Sequence, residues 1–139
     1  MYNWAMDQLT VFIPIETVPK SYQRMRKGIG LTDKCRAYQT DATRFLKKFA
    51  PKSPLDGNLK ITLTFYIRRL ESHKNLKFPT IKPDLDNLCK SALDCIQNAD
   101  IIANDSRVTE LSLRKVFAGG ECSNGVIQPG CLVEIQPVA

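Results

Sequence analysis

The chain is organised around the segment Lys82-Pro83-Asp84-Leu85-Asp86-Asn87-Leu88-Cys89-Lys90. The proline disfavours a helical conformation before it and favours a helix start close behind it. From there, apolar residues recur at spacings of three and four: Leu85, Leu88, Cys89, Ala92, Leu93, Ile96 and Ala99. This period predicts an amphipathic helix with one face buried in a core. Asp86, Lys90 and Asp94 fall four apart on its polar side.

Two carboxylates at a helix start have an ordinary structural explanation. Asp84 can cap the helix, which is worth ~1 kcal/mol. Asp86 can complement the helix dipole, worth about 0.3–1 kcal/mol, and can form a surface pair with Lys90, worth roughly 0.3–0.5 kcal/mol. Because Asp-x-Asp is short and common, this stretch alone does not separate a helix terminus from a functional site.

The segment that follows the helix favours a functional site over an ordinary helix terminus. A helix from Asp86 to about Gln97 rises ~17 Å, and an extended return from Ala99 to Asp105 covers ~20 Å. If the chain doubles back along the helix, Asp105 arrives beside Asp84 and Asp86. Two carboxylates ~5 Å apart repel by roughly 3 kcal/mol at an effective dielectric constant of ~20, and a divalent cation relieves that repulsion. Oxygen-only ligands suit Mg²⁺ or Mn²⁺.

The same stretch resembles a known family. Lys82 to Leu88, with Lys90 and with Asn104-Asp105-Ser106-Arg107-Val108 about twenty residues after the first aspartate, resembles the RusA-type Holliday-junction resolvases. Upstream, Pro19-Lys20, Arg24, Arg26 and Asp33-Lys34-Cys35-Arg36-Ala37-Tyr38 are similar to the basic N-terminal signature of many members. The resemblance covers roughly residues 8 to 118.

The resemblance implies a small homodimeric, Mg²⁺-dependent endonuclease of a kind commonly carried by phages and prophages, with Mn²⁺ as a possible substitute. It implies that Asp84, Asp86 and Asp105 are the metal-binding carboxylates and that Lys90 is the essential lysine. The sequence departs from some members at position 104, where they carry a second aspartate and this chain has Asn104. Asp105 occupies the position that matches the catalytic acid.

The charge distribution is uneven along the chain. Residues 1–83 carry 16 Lys and Arg against 6 Asp and Glu, a balance of +10, whereas residues 84–139 carry 4 against 8, a balance of −4. A basic first half beside an acidic centre suits a polyanion held against a metal site, although surplus lysine can also serve solubility alone. The residues predicted to hold the DNA backbone are Lys20, Arg24, Arg26, Lys34 and Arg36.

The cysteine pattern excludes a zinc site and predicts free thiols. The five cysteines are an odd count without a Cys-x-x-Cys, and His73 is the single histidine that could supplement them. Cys35 and Cys89 lie on apolar helix faces, which is typical of buried thiols in a reducing compartment. With no signal peptide and no apolar run of membrane-spanning length, we expect a soluble protein of the bacterial cytoplasm with no membrane contact.

The chain as a whole predicts one α+β domain over residues 1–139, a mixed β-sheet packed against two helices in the order β-α-β-α-β-β. The predicted strands are 9–13, 59–67, 108–117 and 132–136, and the first helix runs from Thr32 or Asp33 to about Phe49. Residues 1–7 are expected to be a loose lead-in. Residues 19–31, which lack a period and contain Gly28 and Gly30, are expected to be a flexible basic loop.

The predicted function is a Mg²⁺-dependent, structure-selective endodeoxyribonuclease that resolves four-way junctions by paired strand nicks in DNA recombination and repair. Two alternatives stay open at this point: a metal-dependent nuclease acting on other branched DNA, and a non-catalytic junction-binding protein whose acidic cluster is structural. The set formed by Asp84, Asp86, Lys90 and Asp105 favours the enzyme.

Overall fold

The computed structural model describes residues 2–5 and 8–138. Seven strands and two helices follow in chain order: β1 (Tyr2–Ala5), β2 (Gln8–Ile13), β3 (Tyr22–Met25), β4 (Gly28–Leu31), α1 (Asp33–Lys47), β5 (Leu59–Ile67), α2 (Leu85–Asn98), β6 (Val108–Phe117) and β7 (Gly130–Pro137). Short 3-10 turns at Glu71–His73 and Asp105–Arg107 interrupt the connections around α2.

Five strands form one mixed sheet in the order β1-β2-β7-β5-β6. The pairing of β5 with β6 is parallel, and the other three pairings are antiparallel. The α2 helix lies in the crossover between the two parallel strands, as such a connection requires. This topology places β6 at one edge of the sheet and β7 in its interior, so no other described strand pairs with the outer side of β6.

The two helices cover one face of this sheet. Alternate residues of β2, β5 and β7 join the apolar stripes of α1 and α2 in a single core: Leu9, Val11, Ile13, Ile61, Leu63, Phe65, Cys131, Val133 and Ile135 from the strands, with Tyr38, Ala42, Leu46, Leu88, Ala92, Cys95 and Ile96 from the helices. Thr32 caps α1, because its hydroxyl accepts the Cys35 N–H at 3.3 Å. Cys35, Cys89, Cys95 and Cys131 are buried, and all five thiols are free.

The predicted α+β class, the mixed sheet, the two helices and the four strands are confirmed. Two segments differ from the expectation. Residues 2–5 form strand β1 against β2 rather than a loose lead-in; residues 1, 6 and 7 lie outside the described residues. Residues 22–31 form the hairpin β3–β4 rather than a flexible loop, with Gly28 at φ +98° beside its turn. Because this hairpin lies outside the core, burial does not impose an alternation of apolar and polar residues on its sequence.

Neither of the helices described is long and apolar enough to cross a membrane.

Candidate nuclease site

Asp84 and Asp86 lie where α2 begins, and both are exposed. Asp84 occupies the N-cap position in an extended conformation, but its side chain makes no capping hydrogen bond. Among the residues that the structure describes, none forms a hydrogen bond or an ion pair with either carboxylate. The structural explanation of this pair as a cap and a surface ion pair therefore does not hold, and both carboxylates are free to bind a ligand.

Two contacts from distant parts of the chain hold this end of α2. Lys115 on β6 donates from Nζ to the carbonyl oxygens of Ile81 at 2.7 Å and Pro83 at 2.9 Å. The Lys20 N–H donates to the carbonyl oxygen of Asn87 at 3.0 Å. Lys115 was not among the residues predicted from the sequence. The sequence feature that could have identified it is the alternation in β6. Lys115 follows Leu111 and Leu113 at intervals of two residues, so it lies on the strand face that packs under the helices.

Asp105 lies at the opposite end of α2. Its backbone N–H donates to Oε1 of Gln97 at 2.7 Å, and Gln97 belongs to the last turn of the helix. Because a helix rises ~1.5 Å per residue, Asp86 and Gln97 are separated by ~17 Å along its axis. The predicted convergence of Asp105 on Asp84 and Asp86 is therefore wrong within one chain.

The segment around Asp105 is fixed by its own contacts. The Leu55 N–H donates to the carbonyl oxygen of Ile101, and the Ala103 N–H donates to that of Leu55, both at 2.8 Å. Asn104, where some family members have aspartate, caps the following 3-10 turn by accepting the Ser106 N–H at 2.8 Å. The Asp105 carboxylate is exposed and has no partner among the described residues.

One side of α2 connects these two ends. Asp86, Lys90, Leu93 and Gln97 follow each other at spacings of four, three and four, which places them on a single side of the helix. Asp94, four residues after Lys90, meets Lys20, which precedes β3, and Gln39 of α1. At the end of this row, Gln97 reaches the segment leading into β6.

The buried Cys89 thiol lies next to this row, and the charges of the row affect its pKa. Burial raises the pKa of Cys89, the negative charge of Asp86 raises it further, and the positive charge of Lys90 lowers it. Lys90 is exposed and has no ion-pair partner among the described residues. One turn of helix thus carries an unpaired anion and an unpaired cation side by side.

Of the residues predicted to contact DNA, some bond to other protein groups and some do not. Lys20 pairs with Asp94, Nζ to Oδ2 at 2.8 Å, and this hydrogen bond raises the pKa of Lys20 against the opposing effect of burial. Arg36 donates to Asp33 at 3.2 Å and to the carbonyl oxygen of Leu31 at 3.0 Å. Lys20 therefore links the segment before β3 to α2, and Arg36 links α1 to the end of β4. That these two residues hold the DNA backbone stays a prediction.

Arg24, Arg26 and Lys34 are exposed, and none has a partner among the described residues. Arg24 lies on β3 and Arg26 at the turn of the hairpin, whereas Lys34 lies in the first turn of α1. Beside the hairpin base, a cleft of about 380 Å³ is lined by Pro19, Lys20, Ser21, Lys82, Pro83, Asp84 and Asn87. The cleft joins the hairpin to the start of α2.

The loop before the motif is organised by Arg69. Its guanidinium donates to the carbonyl oxygens of Lys74 at 2.9 Å and Leu76 at 2.7 Å, and lies 5.1 Å from the ring centre of Phe117. His73 accepts the Leu70 N–H through Nδ1 at 3.3 Å and stacks on Phe117. His73 therefore shapes this loop and does not lie among the carboxylates.

The carboxylates at each end of α2 are the type of ligand that Mg²⁺ prefers, but neither end has three of them. Asp84 and Asp86 offer exposed carboxylate oxygens without competing partners, which is the chemistry that Mg²⁺ prefers. Within residues 8–138, however, no three Asp, Glu, His or Cys side chains lie close enough to hold a metal ion. One chain thus supplies two carboxylates at one end and a third at the other.

Comparison with known proteins agrees with the motif. The family model described as endodeoxyribonuclease RusA matches residues 14–123, which include Asp84, Asp86, Lys90 and Asp105. No curated protein sequence matches the chain. Since the matched residues make up most of the chain, the protein belongs to the RusA family of endodeoxyribonucleases.

Proposed function

We propose that this protein is a Mg²⁺-dependent endodeoxyribonuclease that resolves four-way DNA junctions by paired nicks. The observation that carries this proposal is the pair Asp84 and Asp86, which stays exposed and unpaired at the start of α2 while Lys115 and Lys20 hold the backbone around it. A family of endodeoxyribonucleases supplies the reaction class. Metal requirement, junction selectivity and paired cutting are the parts that we propose.

We further propose that the working unit is a two-fold homodimer joined along β6. The candidate strands for this contact are residues 108–117 and 132–136, both of which offer apolar faces. The second is β7, which is flanked by β2 and β5, whereas β6 has a free edge. Leu111 on β6 is 45 % exposed although its face of the strand is the one beneath the helices. A second copy covering this edge would bury that side chain.

The dimer supplies what one chain lacks. In an antiparallel pairing of two β6 edges, the beginning of one strand lies beside the end of the other. Asp105 precedes β6, and Lys115 near its end contacts the residues leading into Asp84. A two-fold axis through β6 would therefore bring Asp105 of one protomer towards Asp84 and Asp86 of its partner. Each dimer would then hold two complete carboxylate sets related by the symmetry of the junction.

Asp84 and Asp86 with Asp105 of the partner subunit would hold the metal. When bound, Mg²⁺ supplies positive charge against the scissile phosphate and activation of the attacking water. In hydrolysis, the water oxygen bonds to phosphorus and the bond from phosphorus to the 3′ oxygen breaks. Lys90, one turn along α2 from Asp86, would neutralise the negative charge that develops on the phosphate oxygens.

Arg24, Arg26 and Lys34 would hold the DNA backbone, while Lys20 and Arg36 support the fold. Each phosphate contact contributes about −0.9 to the slope of log K against log salt concentration on duplex DNA. Replacing both Arg24 and Arg26 by Ala should flatten that slope by up to ~2 units. Lys20→Met, which removes a side chain already paired with Asp94, should leave the slope close to that of the parent.

A nicking assay on a synthetic four-way junction tests the proposed function. With Mg²⁺, we expect symmetric cuts in two opposing strands and little cleavage of a linear duplex with the same sequence. Addition of EDTA should stop cleavage and leave binding intact. Equal cleavage of junction and duplex would contradict junction selectivity, whereas binding without cleavage in Mg²⁺ or Mn²⁺ would identify a non-catalytic junction-binding protein.

A further inference from the structure

The hairpin β3–β4 has two faces of different character. In an antiparallel pair, residues directly opposite each other share a face. The register pairs Tyr22 with Leu31 and Arg24 with Ile29 on one face, and Gln23 with Gly30 and Met25 with Gly28 on the other. We call the face with Tyr22, Leu31, Arg24 and Ile29 the outer face, and the other the inner face.

The inner face anchors the hairpin to α1. Gln23 donates to Oδ1 of Asp33 at 3.2 Å, and Arg36 lies against the sulfur of Met25 at 3.9 Å. A Cβ at Gly30 would meet the Met25 side chain, so glycine permits this close packing. At the base, the hydroxyls of Ser21 and Thr32 share a hydrogen bond at 2.8 Å. These contacts fix the direction in which the outer face points.

The outer face presents apolar and cationic groups together. Ile29 is 76 % exposed and the Tyr22 side chain 61 % exposed, with Arg24 in register beside Ile29. Arg26 and Lys27 extend the positive charge at the turn. The three cations have no partner among the described residues. An apolar face surrounded by unpaired cations is complementary to a polyanion that also offers apolar surface.

The hairpin stands at the rim of the candidate site. Its base residues Lys20 and Ser21 line the same cleft as Asp84, and the Lys20 N–H is bonded to the carbonyl oxygen of Asn87. The base of the hairpin and the candidate carboxylates therefore border one cleft.

We propose that the outer face of the hairpin recognises the branch point of the DNA by contact with unstacked bases. Base faces are covered by their neighbours inside a duplex, but they can be exposed where strands change partners. The Tyr22 ring and the Ile29 side chain would cover such faces, as aromatic and apolar side chains do in other nucleic-acid complexes. Arg24, Arg26 and Lys27 would hold the flanking phosphates. This inference rests on the proposed function, because it requires that branched DNA is the substrate.

The experiment measures binding in EDTA, where no cleavage occurs. A four-way junction with 2-aminopurine next to the branch point is compared with a linear duplex that contains the same label. The parent protein should raise the fluorescence of the junction on binding, because the labelled base loses its stacking. The variant Tyr22→Ala/Ile29→Ser should lose that rise and should bind the junction about tenfold more weakly, while its affinity for the duplex stays within about twofold of the parent.

Ile127→Ser is the matched control, since Ile127 is 81 % exposed and lies on the opposite side of the sheet near Phe12 and Tyr66. It should behave like the parent. If the double variant does not fold, as judged by circular dichroism, Ile29→Thr keeps a β-branched residue and should show the smaller loss expected of one apolar contact.

The outcomes separate this inference from the proposed function. A parent protein that binds junction and duplex equally contradicts the proposed function itself. A parent that prefers the junction, with a folded double variant that keeps both the preference and the fluorescence rise, overturns the role of the hairpin alone. An equal loss on junction and duplex would identify a general backbone contact, and a change in sedimentation without DNA would identify a protein contact. Both results would also overturn the inference.

Discussion

The two ends of α2 carry the same chemistry but are fixed in different ways. At its start, Asp84 and Asp86 lie on a backbone held by Lys115 of β6 and by the Lys20 N–H. At its end, Asp105 is held through Gln97. In both places the carboxylates are exposed and unpaired within the described part of the chain, while neighbouring polar groups are bonded. A single chain therefore places its unpaired carboxylates in two groups about one helix length apart.

The largest expected effect comes from removing a charge at the start of α2. Asp86→Asn keeps the shape of the side chain and should reduce Mg²⁺-dependent junction cleavage by orders of magnitude, with at most about 1 kcal/mol lost from the helix dipole. Affinity for the junction in EDTA should stay level or rise, because repulsion towards phosphate falls. Gel-based cleavage and binding assays measure both quantities.

Asp41→Asn is the matched control, because Asp41 is an exposed helical aspartate on α1, paired with Arg44 at 3.6 Å. It should cleave like the parent. Cleavage by Asp86→Asn at the level of this control would contradict the assignment of the site to the start of α2.

Lys115→Met should give a smaller loss of a different kind. Lys115 pairs with no carboxylate of the described residues; it donates to the carbonyl oxygens of Ile81 and Pro83 and so positions the segment before Asp84. Loss of such a positioning contact typically costs 10–100-fold in metal affinity or activity, so the Mg²⁺ concentration for half-maximal cleavage should rise by about that factor. High Mg²⁺ should restore most of the rate. Lys60→Met on β5 is the control, and a purely structural role of Lys115 would instead lower thermal stability without a shift in Mg²⁺ dependence.

The smallest expected effect concerns the ion pair of Lys20 with Asp94, midway along α2. Its side chains are 24 % and 30 % exposed, which is typical of a contribution of about 0.2–1 kcal/mol. The pKa of Lys20 is raised in the folded protein from its ordinary value of 10.5. This stabilisation is fully present below pH 10.5 and is lost as the pH rises through the raised value. Urea unfolding of Lys20→Met should show a deficit in unfolding free energy at pH 8 that closes as the pH rises beyond 10.5 and through the raised pKa of Lys20. A deficit that stays constant with pH would mean that the lost contribution is packing.

The elements whose burial imposes a period could be predicted from the sequence. The helix from Leu85 and the strand from Leu59 follow from the spacing of their apolar residues, and the cap at Thr32 follows from its position before Asp33. The free carboxylates at 84 and 86 follow from the motif. The hairpin could not be predicted, because most of its residues face solvent and carry no alternation.

The position of Asp105 could not be predicted from the sequence. The number of residues after α2 limits how far the chain can extend, but it does not determine the direction in which the chain runs. Residues 101–103 bond to Leu55, and Asp100 adopts φ +61°, which turns the chain away from the axis of α2. That partner lies 46 residues earlier in the sequence than Ile101. Lys115 was missed for the same reason, since its two carbonyl acceptors lie more than thirty residues before it.

The measurement that tests the account most directly mixes two inactive variants, Asp86→Asn and Asp105→Asn. If each site takes Asp84 and Asp86 from one protomer and Asp105 from the other, a mixed dimer contains one doubly altered site and one intact site. The mixture should therefore regain Mg²⁺-dependent nicking of a junction in a supercoiled plasmid and should accumulate nicked circles, although each variant alone is inactive. No recovery, from a mixture shown to exchange subunits, would contradict the two-protomer site, as would an active species that sediments as a monomer.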